Sequence, residues 1–401
     1  MFTAFATATT QHATHAENQT KNLAKAAYEV LSADDFATAR AEITAWDGYA
    51  PTPLVMLSGL AAQLNVDQIA YKHEGPRFGL GSFKALGGSY AAMRVLQRQV
   101  AAQTGQAVTL SDIREGRYRD ACAKITLVSA TDGNHGRSLA WGCQRVGAPC
   151  RIYIHAEVSE GRAQAMQALG ADVIRIEGDY DASVHLAKQE ADANGWFVVS
   201  DTSWPGYSDP PRDVMAGYGT MTSEICDSLD QPPTHVFLQG GVGGLAAAVA
   251  AGLRQFYGAT SPRVVIVEPD RAACLFESAR AGTATTVNIA EETIMAGLSC
   301  GEPSEMAWSI LSQEATDFVT IPDGTVAPTV RLLATPPFGD PVVEAGESAV
   351  AGLAALIVAR QDADLSEKLG LSDTSRVLVI GSEGVTDPDI FAAIMTGADH
   401  V

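Results

Sequence analysis

The chain has 401 residues, 46% of them hydrophobic and 18% charged, a composition typical of a globular protein with two or more domains. Its 47 acidic residues against 27 basic ones give a net charge of -20, so the phosphate backbone of a nucleic acid would be repelled. No apolar run approaches the roughly 18 residues that a membrane-spanning helix requires, so we predict neither nucleic-acid nor membrane partners.

The N-terminus and the cysteines bear on location and metal binding. The first 20 residues contain no Lys or Arg and no continuous apolar core, so they match neither a signal peptide nor a transit peptide. We therefore expect a mobile N-terminal arm and a cytoplasmic protein. The six cysteines form no C-x-x-C pair, and no metal site is predicted.

Short apolar strands alternate with helices along most of the chain. Such alternation implies α/β architecture with parallel sheets that helices cover on both faces. The predicted elements in chain order are a helix over 85–97, a strand over 125–129, a helix over 137–146, a strand over 151–155, a helix over 161–169, strands over 172–176, 196–200 and 235–238, a helix from Leu245, and strands over 264–267 and 377–380.

Two clusters of these elements predict two domains rather than one large sheet. We place a small α/β domain at residues 97–210, inserted into a larger domain. The larger domain is formed by residues 1–96, which include the N-terminal arm, and by residues 211–401. Residues 204–212 contain three prolines and are predicted to be the linker that returns the chain to the larger domain.

A glycine-rich stretch, Gly240, Gly241, Val242, Gly243 and Gly244, lies between a predicted strand and a predicted helix. Backbone amides in such a turn suit a phosphate group. The same stretch, with the alanine at position 246, also fits the G-x-G-x-x-A signature of dinucleotide-binding folds, and an acidic residue at position 268 ends the next strand. Taken alone, the loop fits NAD at least as well as a single phosphate.

A lysine, Lys84, follows a glycine turn and precedes the helical stretch 85–97. A desolvated lysine near a helix start has its pKa lowered towards the neutral amine, and neutral amines form Schiff bases. A lone lysine is usually solvated, and only the apolar or small neighbours Phe83, Ala85 and Leu86 favour the functional interpretation.

A second polar turn, residues 130–136, joins a predicted strand to a predicted helix. An Asx turn or a helix N-cap would by itself explain Asp132 and Asn134 in this turn. The combination of this turn with the lysine and the glycine loop is the informative feature.

These three motifs occur in the order seen in fold-type II pyridoxal-phosphate enzymes, the threonine dehydratase and tryptophan synthase β group, which the chain resembles over roughly residues 50–390. Within the group the chain is most similar to the diaminopropionate ammonia-lyases. The resemblance rests on the stretches 83–88, 131–137, 267–270, 295–303, 346–348 and 382–387. It implies two three-layer α/β domains with parallel sheets, and pyridoxal 5'-phosphate between them.

The resemblance also implies roles for individual residues. Lys84 would hold the cofactor as a Schiff base and move protons, and Asn134 would hydrogen-bond the phenolic oxygen of the cofactor. Residues 240–244 would bind its phosphate, and Ser382 would face its pyridine nitrogen. A serine is a neutral partner, so it should temper the electron-withdrawing power of the ring and favour prompt elimination.

Two carboxylates would act on the substrate. Asp132 stands where serine or threonine dehydratases of this group usually have a small residue, so it would pair with the β-ammonium of 2,3-diaminopropionate or serve as a second base opposite Lys84. Asp201 is expected near the substrate by the same resemblance. A cap at the end of a strand explains Asp201 nearly as well.

The predicted function is therefore α,β-elimination from 2,3-diaminopropionate to give pyruvate and ammonia. The alternatives are a dehydratase-type lyase acting on serine, threonine or 3-hydroxyaspartate, and an NAD-dependent oxidoreductase. The resemblance further implies a homodimer, and it places Cys274 and Cys300 at positions that form a disulfide in some relatives.

Overall fold

The computed structural model of the protein describes residues 2–15, 25–131, 133–178 and 180–397. The strands in these ranges are β1 Gln11–Thr14, β2 Leu54–Met56, β3 Gln68–His73, β4 Leu127–Ala130, β5 Cys150–Ile154, β6 Asp172–Arg175, β7 Phe197–Val198, β8 His235–Gln239, β9 Arg263–Pro269, β10 Ala315–Ile321 and β11 Arg376–Gly381. The α-helices are α1 Thr3–Ala6, α2 Lys25–Glu29, α3 Ala33–Ile43, α4 Ser58–Leu64, α5 Lys84–Thr104, α6 Leu110–Arg114, α7 Arg119–Cys122, α8 Asn134–Val146, α9 Glu160–Gln167, α10 Tyr180–Asn194, α11 Asp209–Ser228, α12 Gly244–Tyr257, α13 Cys274–Ala281, α14 Glu305–Glu314, α15 Val326–Ala334, α16 Ala351–Gln361, α17 Ala363–Leu369 and α18 Pro388–Met395.

The chain forms two compact units, each with its own sheet. The larger unit comprises Met1–Ala33, Pro51–Ser82 and Met221–Val401, and the smaller unit comprises Asp34–Ala50 and Phe83–Thr220. The predicted α/β class with parallel sheets is confirmed.

The larger unit contains a seven-stranded sheet with the order β1-β10-β9-β8-β11-β3-β2. Its five central strands are parallel, and β1 and β2 pair antiparallel at the two edges. The central strands are apolar along most of their length because helices cover the sheet, as in other parallel sheets. Helix α16 packs against this sheet, and its residues 351–359 are all buried.

The N-terminal segment is ordered over residues 2–15. The prediction of a mobile arm is therefore wrong for these residues. Strand β1 extends the sheet beside β10, with Gln11 opposite Thr320 and Thr14 opposite Asp317. The His12 Nε2 atom lies 2.8 Å from a carboxylate oxygen of Asp317, and Phe5 is buried. Backbone pairing, this polar contact and the burial of an aromatic ring together offset the entropy lost in ordering the segment.

The smaller unit contains a four-stranded parallel sheet with the order β6-β5-β4-β7. The unit extends beyond the predicted limits 97–210 because helix α5 packs along α8. An added Cβ at Gly142 would lie 2.7 Å from the Ser89 Cα atom, and the Ser89 hydroxyl donates a hydrogen bond of 2.7 Å to the Ser138 carbonyl. This packing assigns the first helix after the lysine motif to the smaller unit.

The predicted linker at 204–212 is partly helical. Trp204 and Tyr207 form an isolated β-bridge, and α11 then begins at Asp209, so that Pro210 and Pro211 lie in its first turn. Prolines are compatible with a first helical turn because the N–H groups there have no intrahelical acceptor. Among the described residues, no helix combines the length and apolar character needed to span a bilayer.

Candidate functional site

Lys84 is the first residue of helix α5, and its side chain is 22% exposed. Its Nζ atom lies 5.3 Å from the centre of the Phe83 ring and 5.9 Å from the centre of the Tyr218 ring. Two aromatic rings therefore form part of the surroundings of the lysine, and one of them belongs to the neighbour Phe83 that the sequence indicated.

Asp201 lies in the loop after β7 and accepts a hydrogen bond from the Lys84 ammonium. Burial by itself would raise the pKa of Asp201, but the charge and hydrogen bond of Lys84, together with His135 and a backbone hydrogen bond, outweigh that effect and hold the pKa well below its usual range. The carboxylate is therefore anionic at neutral pH. The sequence left open whether Asp201 only caps the end of a strand. Its hydrogen bond with Lys84 shows that it does more than that.

His135, the second residue of α8, completes this group of charged and polar side chains. Its Nε2 atom lies 2.9 Å from the Val199 carbonyl oxygen, and its Nδ1 atom lies 4.0 Å from the Asp201 carboxylate. Burial lowers the pKa of His135, so the imidazole is neutral. A neutral ring that donates through Nε2 presents the lone pair of Nδ1 towards the site.

Asn134 begins helix α8 directly before His135, and its side chain is partly exposed. The helix start is tightly packed at Gly136, where an added Cβ would lie 2.5 Å from Met166 Sδ and 2.6 Å from Thr131 Cγ2. The smaller unit thus brings Lys84, Asp201 and the start of α8 together. Asp132, the other predicted substrate residue, lies outside the described residues.

The glycine loop of the larger unit follows β8 and leads into α12. Gly241 has φ +62° and Gly243 has φ +96°, a left-handed conformation that favours glycine. The first N–H groups of a helix have no intrahelical acceptors and, with the helix dipole, bind anions. The loop with the start of α12 therefore suits a phosphate group.

Glu268, which the dinucleotide alternative assigns to a ribose, is engaged elsewhere. It is 1% exposed, and its carboxyl oxygens accept hydrogen bonds from the backbone N–H groups of Leu275 and Phe276 at the start of α13. A Cβ at Gly240 would lie 2.5 Å from Glu268 Cγ. The Glu268 side chain therefore packs against Gly240 and supports the glycine loop. Its oxygens are hydrogen-bonded to the backbone of α13 and do not bind a ribose.

Ser382 follows β11, which is adjacent to β8 in the large sheet, so Ser382 and the glycine loop lie at the same carboxyl-terminal edge. The Ser382 side chain is 5% exposed, and its hydroxyl oxygen accepts a hydrogen bond of 3.3 Å from Gln239 Nε2. A buried neutral hydroxyl can hydrogen-bond the pyridine nitrogen of pyridoxal 5'-phosphate, and a glycine loop at a helix start suits its phosphate. The residues of the larger unit fit that cofactor.

Neither Cys274 nor Cys300 is in a disulfide, and both lie beside the glycine loop. The Cys274 thiol is 3.5 Å from the Gly241 carbonyl oxygen, and a Cβ at Gly241 would lie 3.7 Å from Cys300 Sγ. The disulfide implied by the resemblance is therefore not formed in this structure.

The two units carry different parts of the predicted machinery. The smaller unit holds a lysine at a helix start with an anionic carboxylate beside it, and the larger holds a glycine loop that suits a phosphate, together with a neutral buried hydroxyl. These features are those expected of an α/β enzyme that binds a phosphorylated cofactor. A model of the family described as "Pyridoxal-phosphate dependent enzyme" matches residues 45–383, and the chain belongs to that family.

Several relatives are similar over most of their length. The diaminopropionate ammonia-lyase of Escherichia coli strain K12 is 38% identical over 360 residues, which cover 88% of this chain and 89% of that protein. The diaminopropionate ammonia-lyase of Salmonella typhimurium strain LT2 is 34% identical and covers 86% of this chain and 88% of its own. A crystal structure of the Escherichia coli enzyme in complex with an aminoacrylate-PLP azomethine reaction intermediate is 34% identical, with a TM-score of 0.87 and 98% of each chain covered. Family membership identifies pyridoxal 5'-phosphate as the cofactor, and the dinucleotide alternative is not favoured.

Sequence reasoning did not identify two residues near Lys84, which are His135 and Tyr218. His135 lies in the stretch 131–137, but the sequence assigns it no role because a histidine in a turn gives no sign of which ring nitrogen the fold will use. Tyr218 lies within the long helix α11, and its spacing is that of any buried helical residue.

Proposed function

We propose that this protein catalyses the pyridoxal-phosphate-dependent α,β-elimination of ammonia from 2,3-diaminopropionate, with pyruvate and ammonia as final products. The observation that carries the proposal is the hydrogen bond between Lys84 and the anionic carboxylate of Asp201. The similarity to the diaminopropionate ammonia-lyases supports it over most of the chain.

Residues that the sequence singles out would hold the cofactor. In the larger unit, residues 240–244 and the start of α12 would bind the phosphate, and Ser382 would hydrogen-bond the pyridine nitrogen. In the smaller unit, Lys84 would bind the cofactor covalently, and Asn134 would hydrogen-bond its phenolic oxygen. When bound, pyridoxal 5'-phosphate supplies an electron sink that stabilises negative charge at the substrate Cα.

Lys84 would act as the base at the substrate Cα. Its amine, when neutral, accepts the α-proton on Nζ, and the resulting ammonium is stabilised by the adjacent Asp201 carboxylate. As the Cβ–N bond breaks, the leaving nitrogen takes the bonding electron pair. Hydrolysis of the released enamine in water then gives pyruvate and a second ammonia.

The charge of Asp201 favours an amine over a hydroxyl as the leaving group. A β-ammonium departs as neutral ammonia without receiving a proton, and an anionic carboxylate nearby stabilises that ammonium. A hydroxyl must be protonated as it leaves, and a carboxylate whose pKa lies below its usual range is a poor proton donor. Diaminopropionate therefore suits this carboxylate better than serine, threonine or 3-hydroxyaspartate.

Asp132 would contribute a second carboxylate, as the resemblance implies. It would pair with the β-ammonium or accept the α-proton from the face opposite Lys84. Two bases on opposite faces would allow both enantiomers of the substrate to react.

A substrate panel with the purified holoenzyme tests the proposal. We expect the highest kcat/KM with 2,3-diaminopropionate, and two molecules of ammonia for each pyruvate. With serine the ratio would be one to one, so product stoichiometry distinguishes the two reactions. Equal kcat/KM for diaminopropionate and serine would contradict the proposed specificity.

The covalent role of Lys84 has its own test. The holoenzyme should show an absorption band near ~420 nm that borohydride abolishes, with the cofactor then attached at position 84. Lys84→Ala should lack both the labelling and the activity. Labelling of another lysine would contradict the assignment.

We also propose that the protein works in the cytoplasm as a homodimer. None of the six cysteines is in a disulfide, and a reducing compartment favours that state. The dimer rests on the family resemblance. Sedimentation of the holoenzyme at micromolar concentration should give twice the mass of the chain, and a monomer would contradict this expectation.

A further inference from the structure

Tyr218 combines deep burial with an unpaired hydroxyl group. The residue lies in α11, is 1% exposed, and its Oη atom has no hydrogen-bond partner of regular geometry within the described part of the chain, with Lys84 as its nearest polar neighbour of those that act on its pKa. Leaving a buried hydroxyl unpaired costs free energy, and most buried polar atoms in native proteins are paired. An unpaired hydroxyl inside the smaller unit therefore requires a physical reason.

The position of the Tyr218 ring is fixed by its neighbours. The ring packs against Phe83, with 4.6 Å between ring centres. A Cβ at Gly87 would lie 2.4 Å from Tyr218 Cε1 and 2.8 Å from Val214 Cγ1, so only glycine fits at that point of α5. A glycine inside a helix is itself unfavourable. The Tyr218 ring in this position is therefore accompanied by two unfavourable features, the buried hydroxyl and the glycine in α5.

The ring lies beside the Lys84 ammonium. Lys84 Nζ is 5.9 Å from the Tyr218 ring centre and hydrogen-bonds to Asp201. Burial raises the pKa of Tyr218, and the Lys84 ammonium is the neighbour that opposes this rise most. In the described part of the chain, the titratable groups that face Lys84 include Asp201 from the loop after β7, His135 from α8 and Tyr218 from α11.

These three groups differ in what they can offer an amine. A carboxylate only accepts hydrogen bonds, and a neutral imidazole that donates to a carbonyl presents only a lone pair. A phenol can accept from an ammonium and donate to a neutral amine. Since Lys84 must exist in both forms during the proposed reaction, the phenol is the one neighbour among these three that suits both.

We propose that the Tyr218 hydroxyl is a second hydrogen-bond partner of the Lys84 side-chain nitrogen, accepting when Lys84 is protonated and donating when it is not. Tyr218 is then a positioning residue that acts through Lys84. The inference rests on the proposed function, in which Lys84 binds the cofactor and moves the α-proton.

Tyr218→Phe tests the inference because it removes the hydroxyl and keeps the ring. Hydrogen bonds to a charged group are the stronger ones, so the protonated nitrogen loses more than the neutral one. We expect the pH midpoint of the ~420 nm band of the holoenzyme, measured without substrate, to fall by about one unit. The acid limb of the pH profile of kcat should shift in the same direction, and kcat should fall about 10-fold with KM nearly unchanged.

Tyr153→Phe is the matched control. Tyr153 is a fully buried tyrosine of the same unit, but its hydroxyl donates to Glu190 in the packing of β5 against α10. This variant should lose some stability. The pH midpoint of its ~420 nm band and that of the acid limb of its kcat profile should both stay unchanged. A Tyr218→Phe enzyme with either midpoint unshifted, or a Tyr153→Phe enzyme with equal shifts, would overturn the inference.

A second variant covers the case in which Tyr218→Phe does not fold. Incorporation of 3-fluorotyrosine at position 218 keeps the hydroxyl but makes it a stronger donor and a weaker acceptor. Both midpoints should then fall by a smaller amount, and unchanged midpoints would overturn the inference. A wild-type protein that takes up no cofactor, or that turns over no diaminopropionate, would instead refute the proposed function.

Discussion

The ammonium of Lys84 donates a hydrogen bond to the carboxylate of Asp201, although the two residues are 117 positions apart in the chain. The pair joins the start of α5 to the loop after β7 within the smaller unit. Because Asp201 remains anionic, it can stabilise a positive charge on the lysine and on a cationic substrate alike.

Asp201→Asn separates these two effects. The amide keeps the shape of the side chain but removes its charge, so we expect kcat/KM for diaminopropionate to fall about 100-fold. The fall for serine should be smaller, because serine has no β-ammonium to stabilise. Steady-state kinetics with both substrates measure the difference.

Asp172→Asn provides the control for this change. Asp172 is 64% exposed in a surface pair with Arg151 in the same unit, so its replacement should leave both kcat/KM values unchanged. Equal losses for the two substrates in Asp201→Asn would show that Asp201 acts on Lys84 alone.

The support of the glycine loop predicts a defect in Gly240→Ala. The new Cβ would lie 2.5 Å from Glu268 Cγ, and Glu268 is held by two backbone N–H groups and has little room to move. We expect the free energy of unfolding to fall by about 1–3 kcal/mol, with faster loss of cofactor on dialysis. Urea denaturation and the absorbance of bound cofactor measure the two effects.

Gly324→Ala is the corresponding control in the same unit, because an added Cβ there meets nothing within 4 Å. It should behave as wild type in both measurements. Full stability and cofactor retention in Gly240→Ala would mean that Glu268 does not support the loop rigidly.

The candidate site residues that the sequence predicts are those that local patterns encode. A glycine turn between a strand and a helix is recognisable over a few residues, so Lys84, Asn134 and the loop at 240–244 were located from short motifs. The Lys84–Asp201 contact depends on how distant elements pack, and no local pattern encodes it.

The dependence on distant packing also explains where the predicted fold differs from the structure. Strand β1 was missed because its order comes from pairing with β10, about 300 residues away, rather than from its own polar sequence. The extent of the smaller unit was missed because it depends on close packing at Gly142. The first turn of α11 was assigned to a linker because proline signals both a loop and a helix start.

Glu268 should make the stability of the protein depend on pH. Burial raises its pKa to about 8, against an ordinary value of 4.5, so the folded protein keeps a proton that the unfolded chain releases. The stability that this proton contributes is complete below pH 4.5 and is lost as the pH rises through about 8. Glu268→Gln resembles the protonated form and does not titrate.

Urea denaturation of wild type and Glu268→Gln over a series of pH values measures this effect. The free energy of unfolding of the wild type should decrease relative to that of the variant across this pH range. Other titrating groups are common to both proteins and cancel in the difference. Parallel stability curves would show that the carboxyl group has an ordinary pKa.

A buried ion cluster in the larger unit predicts the largest loss of stability. Glu224 accepts hydrogen bonds of 2.6 Å from Lys72 Nζ and of 2.7 and 2.8 Å from Arg77, and both cations are 1% exposed. Glu224→Gln would leave two buried cations with Glu74 as their remaining carboxylate, which should lower the free energy of unfolding by about 3–5 kcal/mol. Glu29→Gln, in an ion pair where Glu29 is 61% exposed, should leave stability nearly unchanged in the same urea denaturation. Equal stabilities for the two variants would mean that water reaches the cluster and screens its charges.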